Sequence, residues 1–223
     1  MKLVIFDCDG TLVDSQHMIC AAMQQAYEAN NLSVPAREHV LAIVGLSLPD
    51  AFRRLAAATN GDVEHPVEAL VTCYKNAFAE LRSSIDHLEP LYPGAREAVD
   101  TLAGRPDTLL GIATGKSQRG VRLVLGHHGL LDHFITIKTA DDAPSKPDPG
   151  MVLHAMREVG ARPENTVVVG DTVYDVAMAR AAGAAPIGVA WGYHTREALE
   201  RAGAPVIDAF ATLEPTLDRM WSS

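Results

Sequence analysis

Two aspartates, Asp7 and Asp9, stand two positions apart after the apolar run Leu3-Val4-Ile5-Phe6, and Gly10-Thr11 follows them directly. Alternate side chains of an extended segment point the same way, so both carboxylates can face one small volume. Close carboxylates repel unless a proton or a cation lies between them. A hard, oxygen-seeking ion such as Mg²⁺ answers that repulsion. The pair can therefore present a nucleophile, an acid/base group and a metal ligand together. A turn alone does not require a carboxylate on each side of Cys8. Asp14-Ser15 reads as an ordinary helix cap. Cys8, flanked by acids that disfavour its thiolate, reads as a strand-end filler.

Three further segments could serve the same chemistry. Thr114-Gly115 ends the run Leu109 to Thr114, and a hydroxyl with a glycine amide at a strand end can hold a phosphoryl group. Lys116 beside them reads as an exposed lysine at a helix start. In Ser145-Lys146-Pro147-Asp148-Pro149 two prolines stiffen the backbone around Lys146, whose ammonium can offset charge building up on a nucleophile and on phosphoryl oxygens. The β-branched run Thr166 to Val169 leads through Gly170 to Asp171, with Asp175 four positions on. At helical spacing these two acids share a face, where like charges destabilise unless a cation joins them.

The elements that must position these residues fall into two textures. Apolar β-like runs at Leu3–Phe6, Leu109–Thr114, Phe134–Ile137, Thr166–Gly170 and Pro186–Trp191 alternate with helix patterns, which argues for βαβ units and a parallel sheet. Ligands gather at the carboxyl ends of such strands. Between Ser15 and about Leu88 no strand pattern occurs. Helices are expected at Ser15–Asn30, Pro35–Val44, Pro49–Ala58 and Pro66–Ile85, with a turn at Asn60-Gly61 and a return linker from His87 to Pro93.

Composition narrows the function. The net charge of −9 argues against sequence-independent binding to nucleic acid or an anionic membrane. No apolar run is long enough to span a bilayer, and a secretory leader is not expected. Three scattered cysteines form no metal spacing and suit a reducing cytoplasm. The nine histidines form no zinc-binding arrangement.

The segment Asp7-Cys8-Asp9-Gly10-Thr11-Leu12-Val13-Asp14-Ser15 resembles motif I of the haloacid dehalogenase-like hydrolases, in particular the phosphoglycolate phosphatase-like branch with a helical cap. Thr114, Lys146-Pro147-Asp148-Pro149 and Gly170-Asp171 to Asp175 resemble motifs II, III and IV, in that order. Tyr92-Pro93-Gly94 resembles the re-entry point from the cap. The likeness runs from Lys2 to about the last helix. Gly115-Lys116 departs from the Thr-Asn pairing common in related phosphatases.

The resemblance implies an α/β fold, a Rossmann-like parallel sheet flanked by helices with an inserted all-helical cap. Residues 1–14 and 89–223 would form the core and 15–88 the cap. It implies Asp7 as nucleophile, Asp9 as acid/base, and Thr114 and Lys146 as further catalytic groups. Thr114, Lys146 and the backbone at Cys8 and Gly115 would hold the phosphoryl group. Mg²⁺ would be held by Asp7, the Asp9 backbone carbonyl and Asp171. Asp175 would act through a water or by holding Lys146. The expected reaction is Mg²⁺-dependent hydrolysis of a small phosphorylated metabolite, phosphoglycolate or a similar monoester, in the cytoplasm. Asp9 weighs against dehalogenation, because a halide leaves without a proton. A phosphomutase, a pyrophosphatase and a non-enzymatic binding protein remain as alternatives, and the sequence carries no reading of oligomeric state.

The helical insert should select the substrate. Val44-Gly45-Leu46-Ser47 is the expected substrate loop, and His17, Arg53, Arg54 and Lys75 are the polar candidates for an anionic leaving group. Trp191-Gly192-Tyr193-His194 could flank the site, with packing an equal reading for Trp191 and Tyr193.

Overall fold

A computed structural model describes residues 1–58, 65–84 and 89–222. Strand β1 (Lys2–Phe6) is followed by four helices, α1 (Gln16–Ala29), α2 (Arg37–Leu41), α3 (Leu48–Ala58) and α4 (Val67–Ser84). The chain then alternates: α5 (Ala95–Ala103), β2 (Thr108–Thr114), α6 (Gln118–His127), β3 (Phe134–Thr139), α7 (Gly150–Val159), β4 (Thr166–Gly170), α8 (Val173–Ala181), β5 (Ala185–Val189), α9 (Arg196–Ala202), β6 (Val206–Ile207) and α10 (Leu213–Trp221). All six strands are parallel, in the order β3-β2-β1-β4-β5-β6. Strand β1 sits at the centre, paired with β2 on one side and β4 on the other. The strand order reverses there, and the crevice at the carboxyl ends is where open α/β sheets bind ligands.

The central strands are apolar on both faces because helices cover both. Val4 and Phe6 pack with Ile112, Leu125, Val167, Val169 and Leu213 on one side. Leu3 and Ile5 pack with Met151, Val152, Val168 and Met178 on the other. Helices α1–α4 enclose a separate apolar cluster around Met23, Tyr27, Phe52, Leu55, Leu70 and Tyr74.

The five expected strands occur at their expected places within one or two residues, and the short edge strand β6 adds a sixth. Two expectations need correction. The helix expected over Pro35–Val44 is confined to Arg37–Leu41, because the chain turns through Gly45 at φ +97° to lay a loop over the sheet. The strand expected to reach Trp191 ends at Val189. The Asn60-Gly61 turn, the Ile85 helix end and the start of the His87–Pro93 linker lie outside the described residues.

Candidate active site

Three strand ends deliver the first groups. Asp7 follows β1, Thr114 ends β2 and Asp171 follows β4, all buried. The backbone N–H of Asp7 donates to the Val169 carbonyl (2.9 Å), which continues the β1–β4 ladder to the site. Lys146 arrives from the loop before α7, and its side chain is fully buried. Its Nζ lies 2.5 Å from Asp175 Oδ1 and 2.9 Å from Asp7 Oδ2. Of the two roles expected for Asp175, holding Lys146 is the one this contact matches.

Asp175 is itself fixed by the first turn of α8. Its Oδ2 accepts from the Thr172 hydroxyl (2.6 Å) and the Thr172 backbone N–H (3.1 Å), and Thr172 caps the helix in return. Asp171 precedes that helix rather than sharing its face, yet the two acids still converge. Asp171 Oδ1 accepts from the Thr11 hydroxyl (3.0 Å) and Oδ2 from the Tyr193 backbone N–H (2.8 Å). A Cβ on Gly192 would stand 2.1 Å from the Asp171 Cβ, so the tight Gly192 turn is what brings the Tyr193 amide in.

Asp7, Asp171 and Asp175 each offer an oxygen within 4.8 Å of the others. Lys146 is the cation seated among them. Burial, opposed by Lys146, pushes the Asp7 carboxyl up to about 6. Burial and then the charges of Asp175 and Asp7 push Asp171 well above the carboxylate range. The Lys146 ammonium forms a fully buried ion pair with Asp7 Oδ2 at 2.9 Å and is shared with Asp175. Three buried acids against a single lysine leave an excess of negative charge that fits a hard divalent cation. The other Asp7 oxygen, Oδ1, is oriented by the Cys8 N–H at 2.7 Å. Burial, reinforced by Asp9, raises the Cys8 thiol far above its usual range, which keeps the sulfur inert.

The Asp9 carboxylate points away from this cluster. Its Oδ1 is 2.8 Å from Lys116 Nζ and accepts from the Ser15 hydroxyl. The same ammonium lies 2.7 Å from Glu89 Oε1, and Glu89 also accepts from Arg82 of α4. One expectation is overturned here: Lys116 is not an exposed surface lysine, since only 7% of its side chain is accessible. The expected Asp14-Ser15 cap holds in part, with Asp14 accepting from the Gln16 N–H at 3.2 Å while the Ser15 side chain makes no cap bond. No local pattern in the sequence around Glu89 signals its pairing with Lys116.

The loop 42–47 closes over the site. A Cβ on Gly115 would lie 2.5 Å from the Gly45 carbonyl oxygen and 2.7 Å from that of Leu46. The Ser47 N–H donates to Ser145 Oγ (2.7 Å), and Tyr174 and His194 both hydrogen-bond the Ala42 carbonyl. Beneath the loop lies a cavity of about 420 Å³ whose lining includes Asp7, Asp9, Thr114, Gly115 and Lys116. Of the four polar candidates on the insert, Lys75 lines it. His17, Arg53 and Arg54 are exposed elsewhere, with Arg53 paired to Asp50. Trp191 packs on Phe210 and donates to the Thr11 carbonyl at 3.1 Å. No helix among the described residues is long and apolar enough to cross a membrane.

This chain is similar to known proteins in sequence and in fold. The family model "Haloacid dehalogenase-like hydrolase" matches residues 4–189. A probable phosphatase, IndB, of Dickeya dadantii is 38% identical over 94% of this chain and 90% of its own. Phosphoglycolate phosphatase 1 of Pseudomonas aeruginosa is 33% identical over 98% of this chain and 80% of its own. The crystal structure of a hydrolase from Pseudomonas syringae superposes with a TM-score of 0.84 at 29% identity, covering 98% of this chain and 99% of the other. The strand order, the matched segment and these relatives together place the chain in the haloacid dehalogenase-like hydrolases, on the phosphoglycolate phosphatase-like branch.

Proposed function

We propose that this hydrolase is a Mg²⁺-dependent phosphatase that cleaves a small phosphomonoester through a phosphoryl group carried on Asp7. The observation that carries the reading is the buried Asp7 carboxylate. One of its oxygens is oriented by Cys8 N–H and the other pairs with Lys146, which Asp175 holds in place. Residues 1–14 and 89–223 are assigned to the catalytic core, and 15–88 to a cap.

In the first half-reaction an Asp7 oxygen attacks phosphorus and the bond to the leaving oxygen breaks. Asp9 gives that oxygen its proton, so an alcohol departs. In the second half Asp9 takes a proton from water, the hydroxide attacks phosphorus and the Asp7–phosphorus bond breaks. The sum is ester plus water to alcohol plus inorganic phosphate. Lys146 offsets charge on the phosphoryl oxygens, and Thr114 with the Cys8 and Gly115 amides positions them. Asp7, Asp171 and the Asp9 backbone carbonyl would hold Mg²⁺, with Asp175 restraining Lys146 beside them. The bound ion would supply Lewis-acid stabilisation of the phosphoryl charge.

Phosphate release from a panel of esters, with and without Mg²⁺, tests the reading against Asp7→Asn. Turnover that needs Mg²⁺ and falls at least about 10³-fold in the variant is expected. Product that retains its phosphate at a different hydroxyl would instead mark a mutase.

A further inference from the structure

The cavity between nucleophile and cap has two chemically different ends. Asp7, Asp9, Thr114 and Lys116 form its polar floor. The rest of the lining includes the apolar Ile19, Met23, Val44, Leu46, Tyr74 and Phe78, with Lys75, Arg82, Ser117, Arg119 and Asp141 among its polar residues. The Tyr74 and Phe78 rings lie 5.7 Å apart and tilted by 35°, and Phe52 meets Tyr74 edge-on at 6.2 Å. Tyr74 and Phe78 thus give the cavity an aromatic wall on α4, with Phe52 of α3 packed behind it. The volume of about 420 Å³ lies in the range of about 300–1,000 Å³ that takes ligands of drug-like size.

The cations around this cavity are already matched or lie in solvent. Lys116 is shared by Asp9 and Glu89, and Arg82 donates to Glu89. Lys75 and Arg119 line the cavity but are exposed. Among the described residues the lining offers no buried cation free of a carboxylate. A leaving group with its own carboxylate close to the phosphate would meet Asp9 and an ammonium already shared by two carboxylates. A polyhydroxylated sugar would leave hydroxyls facing aliphatic and aromatic walls, where unpaired polar groups are costly.

Resting on the phosphatase reading above, we infer that the leaving group is an uncharged, apolar alcohol with a flat or aromatic body. Its phosphoryl end sits on the Asp7 floor and its carbon skeleton lies against Phe78, Tyr74, Met23 and Leu46. This sets phosphoglycolate and sugar phosphates aside as preferred substrates. It also makes the walls of α1 and α4 the specificity determinants.

The test is steady-state phosphate release in Mg²⁺ from methyl, butyl, hexyl and benzyl phosphate, with phosphoglycolate and ribose 5-phosphate alongside. The alkyl series holds the reactivity of the leaving oxygen nearly constant. We expect kcat/KM to rise by up to about fourfold per buried methylene. Benzyl phosphate should exceed phosphoglycolate at least tenfold. Phe78→Ala should lower the benzyl-to-methyl ratio of kcat/KM, a ratio that a general loss of folded protein does not move. A flat alkyl series, or phosphoglycolate or ribose 5-phosphate as the best substrate, overturns this inference and leaves the phosphatase reading standing. Release from none of the esters overturns the phosphatase reading and this inference with it.

Discussion

Lys116 Nζ stands 2.8 Å from Asp9 Oδ1 in a buried ion pair, and the same ammonium reaches Glu89 Oε1 at 2.7 Å. One cation from the start of α6 thus ties the proposed acid/base to the segment that returns from the helical insert. Arg82 extends the network onto α4, and the Phe78 ring faces Lys116 Nζ at 5.1 Å. Replacing Lys116 by Met leaves Asp9 without its cation and facing a Glu89 held by Arg82 alone. Breaking a buried pair in this way costs about 3–5 kcal/mol. Urea unfolding should show that loss, and Lys116→Met with Glu89→Gln should recover part of it. A variant within about 0.5 kcal/mol of wild type would mean the network contributes little.

The same network gives a pH dependence with a definite sign. Burial pushes the Glu89 carboxyl up, but Lys116 and Arg82 outweigh it and hold the group below its ordinary 4.5. A carboxylate with a depressed folded pKa contributes stability that is complete above the unfolded value and is lost as pH falls through the folded value. The stability difference between wild type and Glu89→Gln should therefore be constant above pH 4.5 and shrink below it. Thermal unfolding of both proteins across the acid range checks this; a difference that grows on acidification contradicts it.

Gly115 is where the 42–47 loop touches the floor of the site. Its missing side chain leaves room for the Gly45 and Leu46 carbonyl oxygens, which a Cβ would meet at 2.5 and 2.7 Å. Both are backbone atoms and cannot rotate aside. Gly115→Ala should displace the loop and lower kcat/KM by about 10²-fold, the order expected of a displacement near 1 Å at a reacting site. The core should remain folded, since the clash is confined to the loop. An alanine variant with wild-type kinetics would show that this close approach has no part in turnover.

Metal binding can be read without turnover. An ion that binds only the folded state at about 100 times its Kd stabilises by about 2.7 kcal/mol, or about 5–10 °C in Tm for a chain of this size. Mg²⁺ should raise Tm, and sodium at equal ionic strength should not. Asp171→Asn should abolish the shift. It should also be at least as stable as wild type without the ion, because burial and its acidic neighbours disfavour the Asp171 charge. An equal Mg²⁺ shift in both proteins would remove Asp171 from the ligand set.

What the sequence determined by itself was the scaffold and the strand-end groups. Apolar runs of β-branched residues separated by helix patterns specify a parallel sheet. A parallel sheet carries every strand's carboxyl end to one edge. Asp7, Thr114 and Asp171 were therefore legible as neighbours although more than a hundred positions separate the first from the second and third. Lys146 was legible because the prolines around it constrain its loop. The tertiary structure alone decided which groups pair with one another. Lys116 looked like any lysine at a helix start, and Ser15 like any helix cap. Both are turned inward because Glu89, arriving from the far end of the insert, completes a charged cluster with Asp9. Such a contact depends on how a long insert folds back over the sheet, and no periodicity or spacing encodes it. The apolar wall of the cavity is of the same kind. Ile19, Met23, Tyr74 and Phe78 read as helix core along the chain, and only the closure of the insert over Asp7 turns them, with the expected substrate loop at Leu46, toward one cavity.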